Sequence, residues 1–200
     1  MTLRTPLARL AAFPLVLVVG CSAASSSDDV GESLESDITS DGNRSDYTLI
    51  TEKNCFIKVN ASDEMETSDS YCGGRGGFSI HIFDGDERQM VSLLKGDVET
   101  ELNNLEATGY GFTYLPSTRV EWRASQKDAE NPFALIFRQQ QYIDETNKPE
   151  MLVVTKLTGD KPCIYKVIDA RKHKDSNQLA RNAATASMTS KCPAAVPKPE

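Results

Sequence analysis

Four cysteines, Cys55, Cys72, Cys163 and Cys192, stand near the two ends of the part of the chain able to fold, and a fifth, Cys21, closes an apolar run near the amino terminus. Whether the four are thiols or cross-links depends on compartment, so the amino terminus decides. Arg4 and Arg9 precede an apolar run from Leu10 to Val19, which is too short to cross a bilayer as a helix and has the form of an export signal. Exported chains meet an oxidising environment, where an even set of cysteines predicts two disulfides. Three pairings are open. Joining Cys55 to Cys72 and Cys163 to Cys192 closes two local loops, each stabilising the fold by roughly 3 kcal/mol if unstrained. The competing use, a metal site, lacks a CxxC pair, and only His81 and His173 are present to assist.

The apolar run ends in Val18, Val19, Gly20 and Cys21, which resembles the lipobox of bacterial lipoproteins. The resemblance implies that residues 1–20 are a signal peptide and that Cys21 is diacylated and then acylated at the new amino terminus. Each buried methylene of an acyl chain contributes about 0.8 kcal/mol, so several chains make a stable anchor. The mature protein is then expected on the periplasmic face of a membrane in the cell envelope, anchored without spanning. Ser22 follows the cysteine; in Gram-negative lipoproteins aspartate there favours the inner membrane, so the resemblance leans toward the outer one.

Residues 21–46 are rich in Ser, Asp and Glu with little to bury, the composition of a disordered tether. About 25 residues of such coil reach on the order of 25–30 Å. Residues 47–200 have the length of one domain with a proper core. The chain carries a formal charge of −7, which becomes −9 once Arg4 and Arg9 leave with the signal. An acidic surface is not drawn to phosphate backbones, which argues against nucleic acid as a partner.

Within the domain, "CFIKVN" and "FSIHIF" alternate like strands, the second with Phe78, Ile80 and Ile82 on one face and Ser79, His81 and Phe83 on the other. "DGDE" supplies a turn, and "RQMVSLLKG" returns as the partner strand. "DVETELNNLEATG" sets Val98, Leu102 and Leu105 at helical spacing and stops at Gly109, predicting a short helix. "TRVEWR" turns Val120 and Trp122 inward and Arg119, Glu121 and Arg123 the other way, and "FALIFRQQQYI" starts apolar on both faces, as a doubly covered strand does. "MLVVTKL" and "CIYKVI" flank the turn "TGDKP". "DSNQLARNAATASM" changes to helical period, with Asp175 or Ser176 as N-cap and Leu179, Ala180, Ala183, Ala184 and Met188 on one stripe. The expected fold is α+β: a mainly antiparallel sheet with a C-terminal helix packed on it, Cys192 tying the helix end back to Cys163.

The glycines of "YCGGRGGFSIHIF" invite a phosphate-loop reading. A phosphate cradle must open a helix, whereas this one opens an alternating strand, so a turn is expected. Asp84 and Asp86 fit two positions of a calcium loop and no more, which leaves a hairpin turn. His81 beside Asp84 and Asp86 can be drawn as part of a hydrolase triad, but no GxSxG elbow accompanies it. The basic run "ARKHKD" reads as a solvated loop. No cofactor fingerprint appears. His81, Asp84, Asp86 and Trp122 remain as candidate binding residues.

Glu121, Trp122 and Arg123 in "VEWR", Pro132, Phe133 and Ala134 in "NPFALIFR", and the closing "CIYKVIDA", "NQLARNAA" and cysteine together resemble a family of small, uncharacterised exported bacterial proteins. The resemblance spans roughly Cys55 to Cys192 and implies one domain with a Cys163–Cys192 bridge; it assigns no active site. The function expected is a non-enzymatic binding or interaction module of the envelope, with an envelope protein or polymer as partner and inhibition of an envelope hydrolase as one form. The alternative is a hydrolase of envelope polymers using His81, Asp84, Asp86 or Glu121.

Overall fold

The computed structural model describes residues 36–61, 66–109, 111–116 and 119–200. The signal peptide, Cys21 and most of the expected tether lie outside these residues. The strands are β1 (Asp37–Ile38), β2 (Asn43–Leu49), β3 (Cys55–Ala61), β4 (Glu66–Cys72), β5 (Phe78–Gly85), β6 (Arg88–Lys95), β7 (Val98–Glu101), β8 (Phe112–Tyr114), β9 (Arg119–Ser125), β10 (Ala134–Tyr142), β11 (Glu150–Lys156) and β12 (Cys163–Asp169). Two helices, α1 (Asn104–Thr108) and α2 (Ser176–Ser187), complete the described elements.

The strands form one continuous hydrogen-bonded sheet that folds over on itself. One half runs β1-β2-β9-β10-β11-β12 and the other β3-β4-β5-β6-β7. β8 links them, antiparallel to β10 and touching β6 through a parallel pair, Arg88 with Thr113. Between the halves, Ile80, Ile82, Val91 and Leu93 meet Trp122, Leu135, Phe137 and Val153. On the other side of the first half, α2 lays Ala180, Ala183 and Ala184 over Ala134, Ile136, Leu152, Val154 and Ile168. The layers are therefore helix, sheet, sheet. β10 is covered on both faces, which its unbroken "ALIF" run requires. The outer face of β3–β7 has no layer over it among the described residues.

Both disulfides form in the local pairing. Cys55 and Cys72 face one another across β3 and β4 with Cα atoms 4.2 Å apart, the spacing of a non-hydrogen-bonded antiparallel pair. Cys163 and Cys192 tie the start of β12 to the segment after α2. That segment then runs back along β12: the Asp169 N–H donates to the Glu200 carbonyl, the Glu200 N–H donates to the Val167 carbonyl, and Val196 packs against the core.

Three readings of the sequence are corrected. The helix expected from Asp97 to Gly109 is β7 followed by the single turn of α1, because Gly96, at φ 59°, makes with Asp97 a two-residue turn that pairs Val98 with Lys95 of β6. Leu102 is buried, and Gly109, at φ 111°, does end the helix. The tether expected to reach residue 46 gives way to β2 at Asn43, where Ser45 and Asp46 are buried. Its polar residues are partners of Arg123, which does not face solvent but is fully buried, held by Asp41 and by the hydroxyl of Ser45. Met188, expected on the buried stripe of α2, caps the helix and is exposed; Ser187 is buried instead.

Candidate functional site

β5 carries His81 on the uncovered face of the second half-sheet. Strand register brings Tyr71 of β4 and Ser92 of β6 directly opposite it. Asp69 lies two residues along β4 on the same face, and Glu99 enters from β7. The His81 Nε2 is 2.9 Å from Asp69 Oδ1 and its Nδ1 is 2.6 Å from Glu99 Oε1. Tyr71 stacks on the imidazole with centroids 4.5 Å apart and planes 6° from parallel. Asp69 also accepts from Asn60 Nδ2 at 2.8 Å. An imidazole can donate from both nitrogens only as the cation. Burial of the ring works against that charge, but hydrogen bonds to Glu99 and Asp69 outweigh it and hold the His81 pKa above its ordinary value. The bond from His81 in turn holds both carboxylates below theirs.

A histidine so placed is a poor base. General-base catalysis needs one nitrogen free to accept a proton from a nucleophile, and here each is committed to a carboxylate. Among the described residues His81 lines none of the clefts of about 190 to 1030 Å³. Among the described residues no group of three or more His, Cys, Asp or Glu side chains is arranged to hold a metal ion.

The other residues singled out in the sequence do not join His81. Asp84 points to the opposite face of β5 and accepts from Gln89 Nε2 at 2.8 Å. Asp86 sits at the tip of the β5–β6 hairpin and pairs with Arg88. Trp122 is 1 % exposed in the core, donating from Nε1 to Thr48 Oγ1 at 2.9 Å and packing on Phe78, so it offers no binding surface. Glu121 lies against α2, paired with Arg181 at 2.8 Å. The "CGGRGG" stretch is a turn that leads into β5: a Cβ on Gly74 would lie 2.3 Å from the Phe78 carbonyl oxygen.

Asp69, Tyr71 and Glu99 were not legible as partners of His81. Contact across strands needs the register; the Cys55–Cys72 bridge fixes it between β3 and β4, with Tyr71 opposite Phe56 and Asp69 opposite Lys58, but nothing in the sequence fixes the β4–β5 and β6–β7 registers that bring these residues and Glu99 to His81.

The same face continues into the strongest exposed apolar feature. β3 is the outer strand of its half-sheet. It presents Phe56, 69 % exposed, beside the partly exposed Tyr71, with ring centroids 6.4 Å apart; Ile57 and Val59 are exposed on its other face. Lys58 is the one charged residue of the strand. A cleft of about 1030 Å³ lies elsewhere, by the Cys163–Cys192 bridge and the carboxy-terminal segment. Lys156 on its wall is buried and spends its ammonium on the hydroxyl of Thr158 and the carbonyls of Ser187 and Met188, closing the end of α2. No protein-family model, curated protein or solved structure matches the chain.

Proposed function

We propose that this chain is a lipid-anchored protein of the bacterial cell envelope whose folded domain is a binding module rather than an enzyme. The anchor rests on the lipobox pattern ending at Cys21 and the polar segment after it. Among the described residues no helix is long and apolar enough to cross a membrane. The observation that carries the binding reading is the outer half-sheet. Four of the large exposed apolar side chains flank the β3–β4 hairpin at the sheet's margin, Phe56 and Tyr71 on the face of His81 and Ile57 and Val59 on the other, and His81 is locked between two carboxylates. Apolar side chains exposed on both faces of a marginal strand mark an interaction surface, and its edge, unpaired among the described residues, adds backbone groups for an extended partner segment. The partner class is an envelope protein.

Capture of envelope proteins by the full-length chain, compared with Phe56→Ala and Val59→Ala, tests this. One protein retained by the wild type and released by both substitutions is the expected result. Turnover of envelope polymer that disappears in His81→Ala would overturn the proposal in favour of a hydrolase.

A further inference from the structure

A second cleft lies by the carboxy-terminal end of β5. Here the β5–β6 turn, β8 and the end of β10 enclose a cleft of about 290 Å³. Phe112, Tyr114 and Tyr142 supply three aromatic rings, Asp84 and Glu87 two carboxylates, and among the described residues no lysine or arginine lines it, although Arg88 and Lys148 stand over the rings of Phe112 and Tyr142. The volume is at the small end for ligand pockets, suited to a head group rather than a whole cofactor.

The hydrogen-bonding state of the walls selects the ligand. Three side-chain donors of the walls are already used. Gln89 donates from Nε2 to Asp84 and accepts at Oε1 from the Leu115 N–H. Tyr114 donates to Gln140, and Tyr142 donates to Glu145 at 2.8 Å. The cleft is rich in acceptors: the second oxygen of Asp84, the Glu87 carboxylate and the phenol oxygens. Thr113, between Phe112 and Tyr114 on β8, turns its fully buried side chain to the opposite face of the strand and contributes backbone to the wall. An anion would meet two carboxylates. A cation satisfies acceptors and ring faces together. The chain's own cations show the attraction: the Lys148 ammonium lies 4.9 Å from the Tyr142 centroid and the Arg88 guanidinium 5.4 Å from that of Phe112.

The turn also holds its acid at a position where glycine is the easier choice. Asp86 and Glu87 both have positive φ, 53° and 56°, in the two-residue hairpin turn that Asn-Gly ordinarily fills. The Glu87 carbonyl is fixed by the Thr113 N–H at 2.9 Å, so the residue is tied to the β8 wall.

We infer that this cleft binds a small organic ammonium group. The inference deepens the binding-module reading and rests on it. Its test is separate, because loss of ammonium binding leaves the β3–β4 surface and its partner capture untouched.

The test is a titration of the full-length chain, followed by amide resonances, with n-butylammonium, tetramethylammonium, 1-butanol and butyrate at constant ionic strength. Saturable shifts at Glu87, Thr113 and Tyr142 are expected with the ammonium ions and not with the alcohol or the acid. Tighter binding of n-butylammonium identifies a lysine-like amino side chain as the source, and tighter binding of tetramethylammonium a quaternary head group. Tyr142→Ala and Glu87→Gly should each weaken binding tenfold or more, and Glu87→Gly, which relieves the turn, should raise the melting temperature by about 2–4 °C. Equal shifts with 1-butanol, no saturable shift at all, or binding unchanged in both variants overturns the assignment.

Discussion

The Nδ1 of His81 lies 2.6 Å from a carboxylate oxygen of Glu99, on a strand the chain reaches only after two further hairpin turns. With Asp69 on the other nitrogen, the imidazolium clasps β4, β5 and β7 across the uncovered face. The remaining groups facing it are Tyr71 and Ser92, with Lys58 beyond Asp69 and Glu101 beside Ser92. A raised histidine pKa adds stability that is complete below the unfolded value of about 6.5 and is lost as pH rises through the folded value; depressed carboxylates add stability that is complete above about 4 and is lost as pH falls through theirs. The clasp is therefore strongest between about pH 4.5 and 6.5. Thermal unfolding of His81→Gln should fall furthest below wild type in that window, and a difference that does not change with pH would refute the clasp.

Arg123 is fully buried beneath α2, bonded to Asp41 at 2.7 and 2.8 Å and close to Glu121 at 3.5 Å. Asp41 in turn accepts from Thr39, Asn43 and Thr185, joining the start of β2 to the helix. Removing one partner of a buried pair strands the other charge and costs about 3–5 kcal/mol. Arg123→Met should show a loss of that size in chemical denaturation, and Asp41→Asn in the same background should cost little more. Burial raises the Asp41 pKa, but its hydrogen bonds outweigh this and hold it far below the usual carboxylate range. Its contribution is thus present above about pH 4 and fades as pH falls toward the depressed value.

This network explains why the domain boundary was not readable. Asp41, Asn43 and Ser45 have the composition of a solvated tether, and composition does not reveal that each bonds to a side chain 78 or more residues away. Alternation did reveal β5, with Phe78, Ile80 and Ile82 inward, and the doubly covered β10, because burial of apolar side chains leaves a periodic mark. The "KGD" turn before Val98 was hidden inside a helical spacing that is real only from Asn104. The candidate site was least visible of all. His81 meets Asp69 and Glu99 through strand register, whereas Asp84 and Asp86, its neighbours in sequence, point elsewhere.

Replacing Cys163 and Cys192 by Ser opens a loop with a sequence separation of 29 residues, which should cost about 3.5 kcal/mol. The loss should be local as well as global. Amide exchange at Asp169 and Glu200, whose N–H groups join β12 to the carboxy-terminal segment, should accelerate more than exchange in β5. Uniform acceleration would show that the bridge does not hold that segment.

Gly74→Ala should destabilise the fold by about 1–3 kcal/mol through overpacking, because its Cβ would lie 2.3 Å from the Phe78 carbonyl oxygen and 3.0 Å from Trp122. Gly73→Ala, which meets nothing within 4 Å, is the matched control. Equal melting temperatures for the two variants would contradict the close approach at Gly74.

The most direct test of the central claim is metabolic labelling of the full-length chain with palmitate. Label is expected in the wild type, recovered with the membrane fraction, and absent from Cys21→Ser. Wild-type protein that carries no label, or label that survives in Cys21→Ser, would contradict the lipid anchor on which the account of this protein as an envelope binding module depends.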